Sequence, residues 1–303
     1  MRKSEVSRRN LVASGMALSV LGSGWPARAQ TGSFFGELLL RPLDDGRLMQ
    51  LEKEFGYRDS ANVLWPVPAG TKVDGASIPR AAWPFIGGPW EGRYRNASVV
   101  HDYYCDKRNR TSVATHRVFH EAMLTSGVSK WRADVMYTAV RVGGPKWSDT
   151  VVFNNGLAEV SNLFDVARPE LDARARLAAQ AALATAALEV DPLSVGRPDN
   201  FALVNASLPD AGGAAWEGRW GEAATATLSS GRSELTASVL GRRGDAIVLG
   251  FEEELPMTAE DFDEIQRTMP REGLSIEELD TRADNLELTI RVREMARSMR
   301  NPD

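Results

Sequence analysis

Asn96–Lys107 (NASVVHDYYCDK), Thr115–Ser126 (THRVFHEAMLTS) and Lys130–Val142 (KWRADVMYTAVRV) decide how the chain is read. Each carries apolar residues at the three-to-four spacing of a helix with one buried face. Thr111-Ser112 and Gly127 punctuate the two gaps, and Gly143-Gly144-Pro145 ends the third segment. Three consecutive helices are therefore predicted. At about 100° per residue the stripe of the first is Ala97, Val100, Tyr104 and Cys105. His101 falls inside it and Asp102 on its flank. The stripe of the second is Val118, Phe119, Ala122 and Met123; His116 borders it, His120 lies one step out and Glu121 faces away.

On the amino-terminal side, residues 34–73 read as short strands. Phe34–Leu40 stops at Arg41-Pro42, Asp44-Asp45-Gly46 is a turn, and Phe55-Gly56-Tyr57 and Val63-Leu64-Trp65 are strand-like, with Pro66 and Pro68 marking an edge or turn. A Gly/Pro-rich loop from Asp74 to Gly92 carries Trp83, Phe85, Ile86 and Trp90, too apolar for a solvated linker. On the carboxyl side, Pro169–Val190 reads as an alanine-rich helix with Pro at its start. Residues 201–255 alternate as a small sheet. Two short acidic helices follow, with capping boxes at Thr258/Asp261 and Ser275/Glu278, and Leu286–Val292 reads as a last strand. The class is α+β: a small N-terminal sheet with a three-helix segment, an alanine-rich helix, then a small C-terminal α+β region.

The extreme amino terminus reads as an address. Arg2 and Lys3 lead to the pair Arg8-Arg9, an apolar run from Leu11 to Leu21 and the small-x-small site Ala27-Arg28-Ala29. That order predicts a twin-arginine signal peptide over 1–29 and a folded, periplasmic or secreted product. The run is too short to span a bilayer, so no transmembrane segment is expected in the mature chain. Without residues 1–29 there remain 31 basic and 40 acidic side chains, a net charge of −9. An acidic chain with no basic run excludes nucleic acid bound by counterion release. The single cysteine, Cys105, excludes an internal disulfide and reads as a small buried apolar side chain. About 270 residues suffice for two cores: an α+β domain over 30–150, a connector over 151–195 and an α+β domain over 196–303.

All three histidines lie in one window, His101, His116 and His120. Histidine is the commonest metal ligand and the general base of neutral pH. If the first two helices form a hairpin, His101 and His116 approach each other, with Asp102 or Asp74 completing the site. His116 and His120 also stand at i and i+4, a spacing that grips one metal. Each has a plainer reading. His101 fits a satisfied core histidine, Asp102 fits a partner for Arg108 or Arg110, His120 fits a solvated face, and Asp74 fits a turn cap.

At these residues the chain resembles a phage-associated family, the domain of unknown function 1353. The likeness runs from about Phe34 to Trp147. It includes Phe55-Gly56-Tyr57-Arg58, Val67-Pro68-Ala69-Gly70, Asp74 to Arg80, Ala97 to Tyr103, and Trp131, Met136-Tyr137, Val140-Arg141, Gly144 and Trp147. Where the family pattern has Thr, Asp and Tyr, this chain has Val73, His116 and Cys105. The resemblance implies no activity; it points to His101, Asp102 and Asp74 as a shared polar cluster.

Two functions follow as expectations. The first is a hydrolase with His101 and Asp102 catalytic and Asp74 and Ser77 binding. Zinc or calcium would be held by His101, His116 and Asp102, and the substrate would lie in the cell envelope. The His-Asp pair on one helix is similar to that of phospholipases A2, where histidine activates water beside a bound metal. The second is a binding or structural module of phage origin with a protein partner, its Trp83–Trp90 loop a recognition surface.

Overall fold

Thr111 opens the second helix by taking the Ala114 N–H on its hydroxyl at 3.2 Å. A computed structural model describes residues 32–75, 78–86, 92–153, 203–204, 225–230, 232–243 and 246–300, with positions 175, 177–179 and 182. The expected signal peptide, Ser77 and Trp90 lie outside the described residues, as does most of the alanine-rich segment. Its five described positions are helical.

The chain is α+β. Six short strands come first: β1 Ser33–Phe35, β2 Leu40–Pro42, β3 Met49–Leu51, β4 Phe55–Arg58, β5 Leu64–Val67 and β6 Lys72–Val73. They form two antiparallel sheets, β1-β4-β5 and β2-β3-β6. Pro42 and Pro66 both sit in edge strands, where a missing N–H breaks no ladder. A 3-10 turn at Arg80–Ala82 and a single helical turn, α1 (Trp83–Ile86), lead to the helices predicted from the apolar stripes. These are α2 Arg95–Lys107, α3 Ser112–Thr125 and α4 Lys130–Gly143. Gly144 follows α4 at a place where a Cβ would stand 2.4 Å from the Val140 carbonyl oxygen, so only glycine ends the helix this way.

Beyond it lie β7 Lys146–Phe153, β8 Leu203–Val204, β9 Thr225–Ser230, β10 Ser233–Arg243 and β11 Ala246–Glu254, then α5 Ala259–Thr268 and α6 Ile276–Arg300. The five strands form one antiparallel sheet in the order β8-β7-β11-β10-β9. Residue 150 stands inside β7, paired with Leu249 of β11. Residues 31–303 form one compact unit.

One element differs in kind from its reading. Leu286–Val292 is part of α6, not a strand. The two-residue alternation there is overridden by packing at the helical period. Leu279, Ala283 and Ile290 are buried and Leu286 packs against them, while Leu288 and Val292 face solvent. Glu287 and Arg291 meet one turn apart at 2.7 Å. The Ser275–Glu278 box starts this helix as expected, with the Ser275 N–H on Glu278 at 2.8 Å, but the helix is 25 residues rather than short.

The Thr258 box is complete. Thr258 accepts from the Asp261 N–H, and Asp261 accepts from the Thr258 N–H at 2.9 Å and from Arg232 at 2.8 Å. Thr258→Ala is expected to lower stability by about 1 kcal/mol, read as a shift of the urea midpoint with an unchanged slope.

The main core lies where both small sheets meet α2, α3 and α4, with Phe55, Tyr57, Phe119, Met123 and Met136 fully enclosed. Glu121 does not face away, as its helical angle implied. It accepts from Tyr57 Oη at 3.0 Å and from the Ser60 N–H at 2.8 Å, which ties α3 to the first sheet.

Candidate functional site

The α2–α3 hairpin turns on Arg108, a non-glycine residue with φ of 53° whose N–H closes the helix end on Tyr104. His101 and Cys105 stand one turn apart on α2, and His116 lies in the second turn of α3. The hairpin brings His101 Nε2 to 2.9 Å from His116 Nδ1. Cys105 Sγ lies 3.6 Å from His101 Nε2 and 3.9 Å from its Nδ1. The ligand atoms of His101, Cys105 and His116 all lie within 4.8 Å of one another, and all three residues are buried. The expected approach of His101 and His116 is thus present, with Cys105 as the third member.

The proton positions follow from the partners. His116 Nε2 lies 3.2 Å from the Pro145 carbonyl oxygen, which only accepts, so Nε2 carries the hydrogen. Burial holds His101 neutral, its pKa pushed down to about 3. Burial first, then the nearby charges of Arg141 and Lys146, push His116 well below its ordinary value. A neutral His116 presents a lone pair at Nδ1, so His101 donates from Nε2. That leaves a lone pair on His101 Nδ1, 3.9 Å from Cys105 Sγ. Phe119 stacks on the His101 ring at 4.4 Å and 26°, and Trp147 stands edge-on to His116 at 6.2 Å.

A cleft of about 1160 Å³ opens beside this group. Cys105 and Asp102 line it; the histidines, with no exposed surface, sit behind. Its walls include Asp74 and Pro145, and Arg108, just after α2, reaches Glu252 of β11 in an ion pair. Burial raises the Glu252 pKa, as does neighbouring Glu254, against the pull of Arg108.

Asp102 is not in the His/Cys cluster. Its Oδ2 accepts the Gly75 N–H at 2.5 Å and so holds the loop after β6, where Gly75 has φ of 65°. Arg108 pairs with Glu252, and Arg110 donates to the Leu64 carbonyl and lies over the Trp65 ring at 4.3 Å. Asp74 lines the cleft and pairs with Arg47.

His120 is buried, 6 % exposed, rather than solvated. It bonds Asp134 of α4 at 2.7 Å, and the 14-residue separation of this pair is invisible to the periodicity of α3 alone. His120 is therefore not a second ligand with His116. Cys105 is buried and free; the one sequence signal of its place in the cluster is its position four residues after His101, the one-turn spacing that also separates His116 and His120.

Residues 49–140 match the family described as "Protein of unknown function (DUF1353)". Two proteins of Sinorhizobium fredii (strain NBRC 101917 / NGR234) are similar. "Uncharacterized protein y4jT" is 45 % identical over 145 residues, 46 % of this chain and 43 % of that protein. "Uncharacterized protein y4iH" is 48 % identical over 97 residues, 32 % of this chain and 41 % of that protein. The chain spans less than half the length of either relative. No solved structure matches.

Proposed function

We propose that the chain is an exported, metal-dependent hydrolase whose reaction takes place in the cleft beside His101 and His116. The observation that carries this reading is the pair of buried imidazoles 2.9 Å apart behind an open cleft. Ligand histidines must be neutral, and burial already keeps both so. A divalent ion there supplies an activated water at neutral pH. Asp102 is the proton acceptor of this reading, because it lines the same cleft and neighbours His101 in sequence. Arg108, Glu252 and Asp74 would meet the polar groups of an envelope substrate. Export is supported by the Arg8-Arg9 pair, the apolar run and Ala27-Arg28-Ala29. No helix among the described residues is long and apolar enough to cross a membrane.

A second reading rests on one specific observation. The chain from Cys105 through His101 and His116 to the Pro145 carbonyl is satisfied without an ion, which suits a binding or structural module. Metal analysis separates the two. The protein recovered after export is expected to hold one divalent ion per chain, and ester or peptidoglycan hydrolysis by it should fall at least about 100-fold in His101→Ala and His116→Ala. Metal-free wild type, without hydrolysis and with His101→Ala merely unfolding, would instead establish the module.

A further inference from the structure

We infer that Cys105, not Asp102, completes the metal grip with His101 and His116, so that the ion is a thiolate-binding metal of the zinc class and not calcium. The inference rests on the metal reading above and sharpens it.

Distance is the first argument. A tetrahedral zinc ion with Zn–N of about 2.0–2.1 Å and Zn–S of about 2.3 Å sets N···S near ~3.6 Å and N···N near ~3.3 Å. His101 Nε2 and Cys105 Sγ already stand 3.6 Å apart. His101 Nε2 and His116 Nδ1, at 2.9 Å, need to part by a few tenths of an ångström. Asp102 lies outside the cluster and is engaged with Gly75.

Donor chemistry is the second. Two imidazoles and a thiolate suit zinc and its neighbours, whereas calcium takes six to eight oxygen ligands. Among the described residues the cluster includes no carboxylate.

The surroundings are the third. A ligand histidine commonly donates its other N–H to a carbonyl or carboxylate, which fixes the ring. His116 does this to Pro145, leaving Nδ1 for the ion. Phe119 and Trp147 flank the two rings. Cys105 is the one member of the three that lines the cleft, so the fourth coordination position opens on that side.

Loading is balanced simply. The Cys105 S–H bond breaks, an S–metal bond forms and the proton leaves to solvent. The His101 hydrogen moves from Nε2 to Nδ1, freeing Nε2 for the ion.

The test is a cobalt(II) titration of the full chain after metal removal, read by near-ultraviolet absorption, with zinc and calcium as competitors. Wild type and Asp102→Asn are expected to bind one cobalt ion with a thiolate-to-cobalt charge-transfer band. Zinc displaces it and calcium does not. Cys105→Ser and Cys105→Ala lose the band, and zinc binding weakens by more than the 10–100-fold usual for outer-shell partners. Circular dichroism verifies that the variants are folded, and the two replacements guard against one failing to fold. Cobalt bound by wild type without the band, zinc affinity unchanged by both Cys105 changes, or binding lost in Asp102→Asn overturns the inference. So does calcium competing with cobalt. In those cases the metal-dependent hydrolase still stands, on a different ligand set. Absence of binding by all three ions overturns both.

Discussion

Asp134→Ala is expected to lower folding stability by about 1.5–3 kcal/mol, the range for hydrogen bonds to a buried charged group. Asp134 has no exposed surface. Its carboxylate takes His120 Nε2 at 2.7 Å, Lys130 Nζ at 3.0 Å and the Leu274 N–H at 3.2 Å. One side chain therefore joins α3, the first turn of α4 and the loop before α6. Burial alone would raise its pKa. The hydrogen bonds from His120, Lys130 and Leu274 prevail and hold it below the ordinary 3.8. A carboxyl with a depressed folded-state pKa contributes stability that is complete above the unfolded value and lost as pH falls through the folded one. Wild type should thus lose unfolding temperature between about pH 5 and pH 2 more steeply than Asp134→Asn. Thermal unfolding across that interval measures it; parallel profiles would mean that the carboxylate charge does not hold these elements together.

Asp280→Ala carries a comparable expected loss, about 3 kcal/mol or more, at the other side of α4. Asp280 projects from α6 and accepts from Tyr137, from Arg141 Nε at 3.2 Å and from Arg117 Nε at 2.9 Å. Arg141 is 5 % exposed and also reaches Asp284 at 3.2 Å. Removing Asp280 leaves a buried guanidinium with less compensation and frees Tyr137 Oη inside the core. Asp280→Asn, which keeps an acceptor, should recover part of the loss. Urea unfolding with a common slope gives both values. Asp280 does not line the cleft, so any metal bound by His101 and His116 should be retained in the folded fraction. An Asp280→Ala protein as stable as wild type would show that α6 is held on α4 by apolar contacts alone.

The helical half was the legible half. The stripes of α2, α3 and α4 obey one period, and small or capping residues mark their ends, so local sequence suffices to place them within a few residues. The meeting of His101 with His116 was legible for the same reason: two short-linked helices with inward histidines have few ways to pack. What failed was set by distant partners. Nothing near His120 announces Asp134, and nothing near Glu121 announces Tyr57 and Ser60. Leu286–Val292 misled because half of its apolar residues face solvent, so alternation in sequence did not report alternation in burial. Cys105 is buried and free, as its reading had it, but its nearness to two imidazoles was not legible, because that depends on how α2 and α3 pack.

The strand that follows Pro145 ties the chemistry to the far end of the polypeptide. The carbonyl that orients His116 belongs to the residue just before β7, and β7 is laced to β11, whose Glu252 stands across the cleft from the hairpin. Severing the chain at residue 150 would halve that strand. It would also strip α6 from α4 and uncover Val142. The amino-terminal helices are thus no portable cassette. A chimaera that keeps α2 and α3 but exchanges everything beyond α4 would inherit the imidazoles without the backbone that aims them.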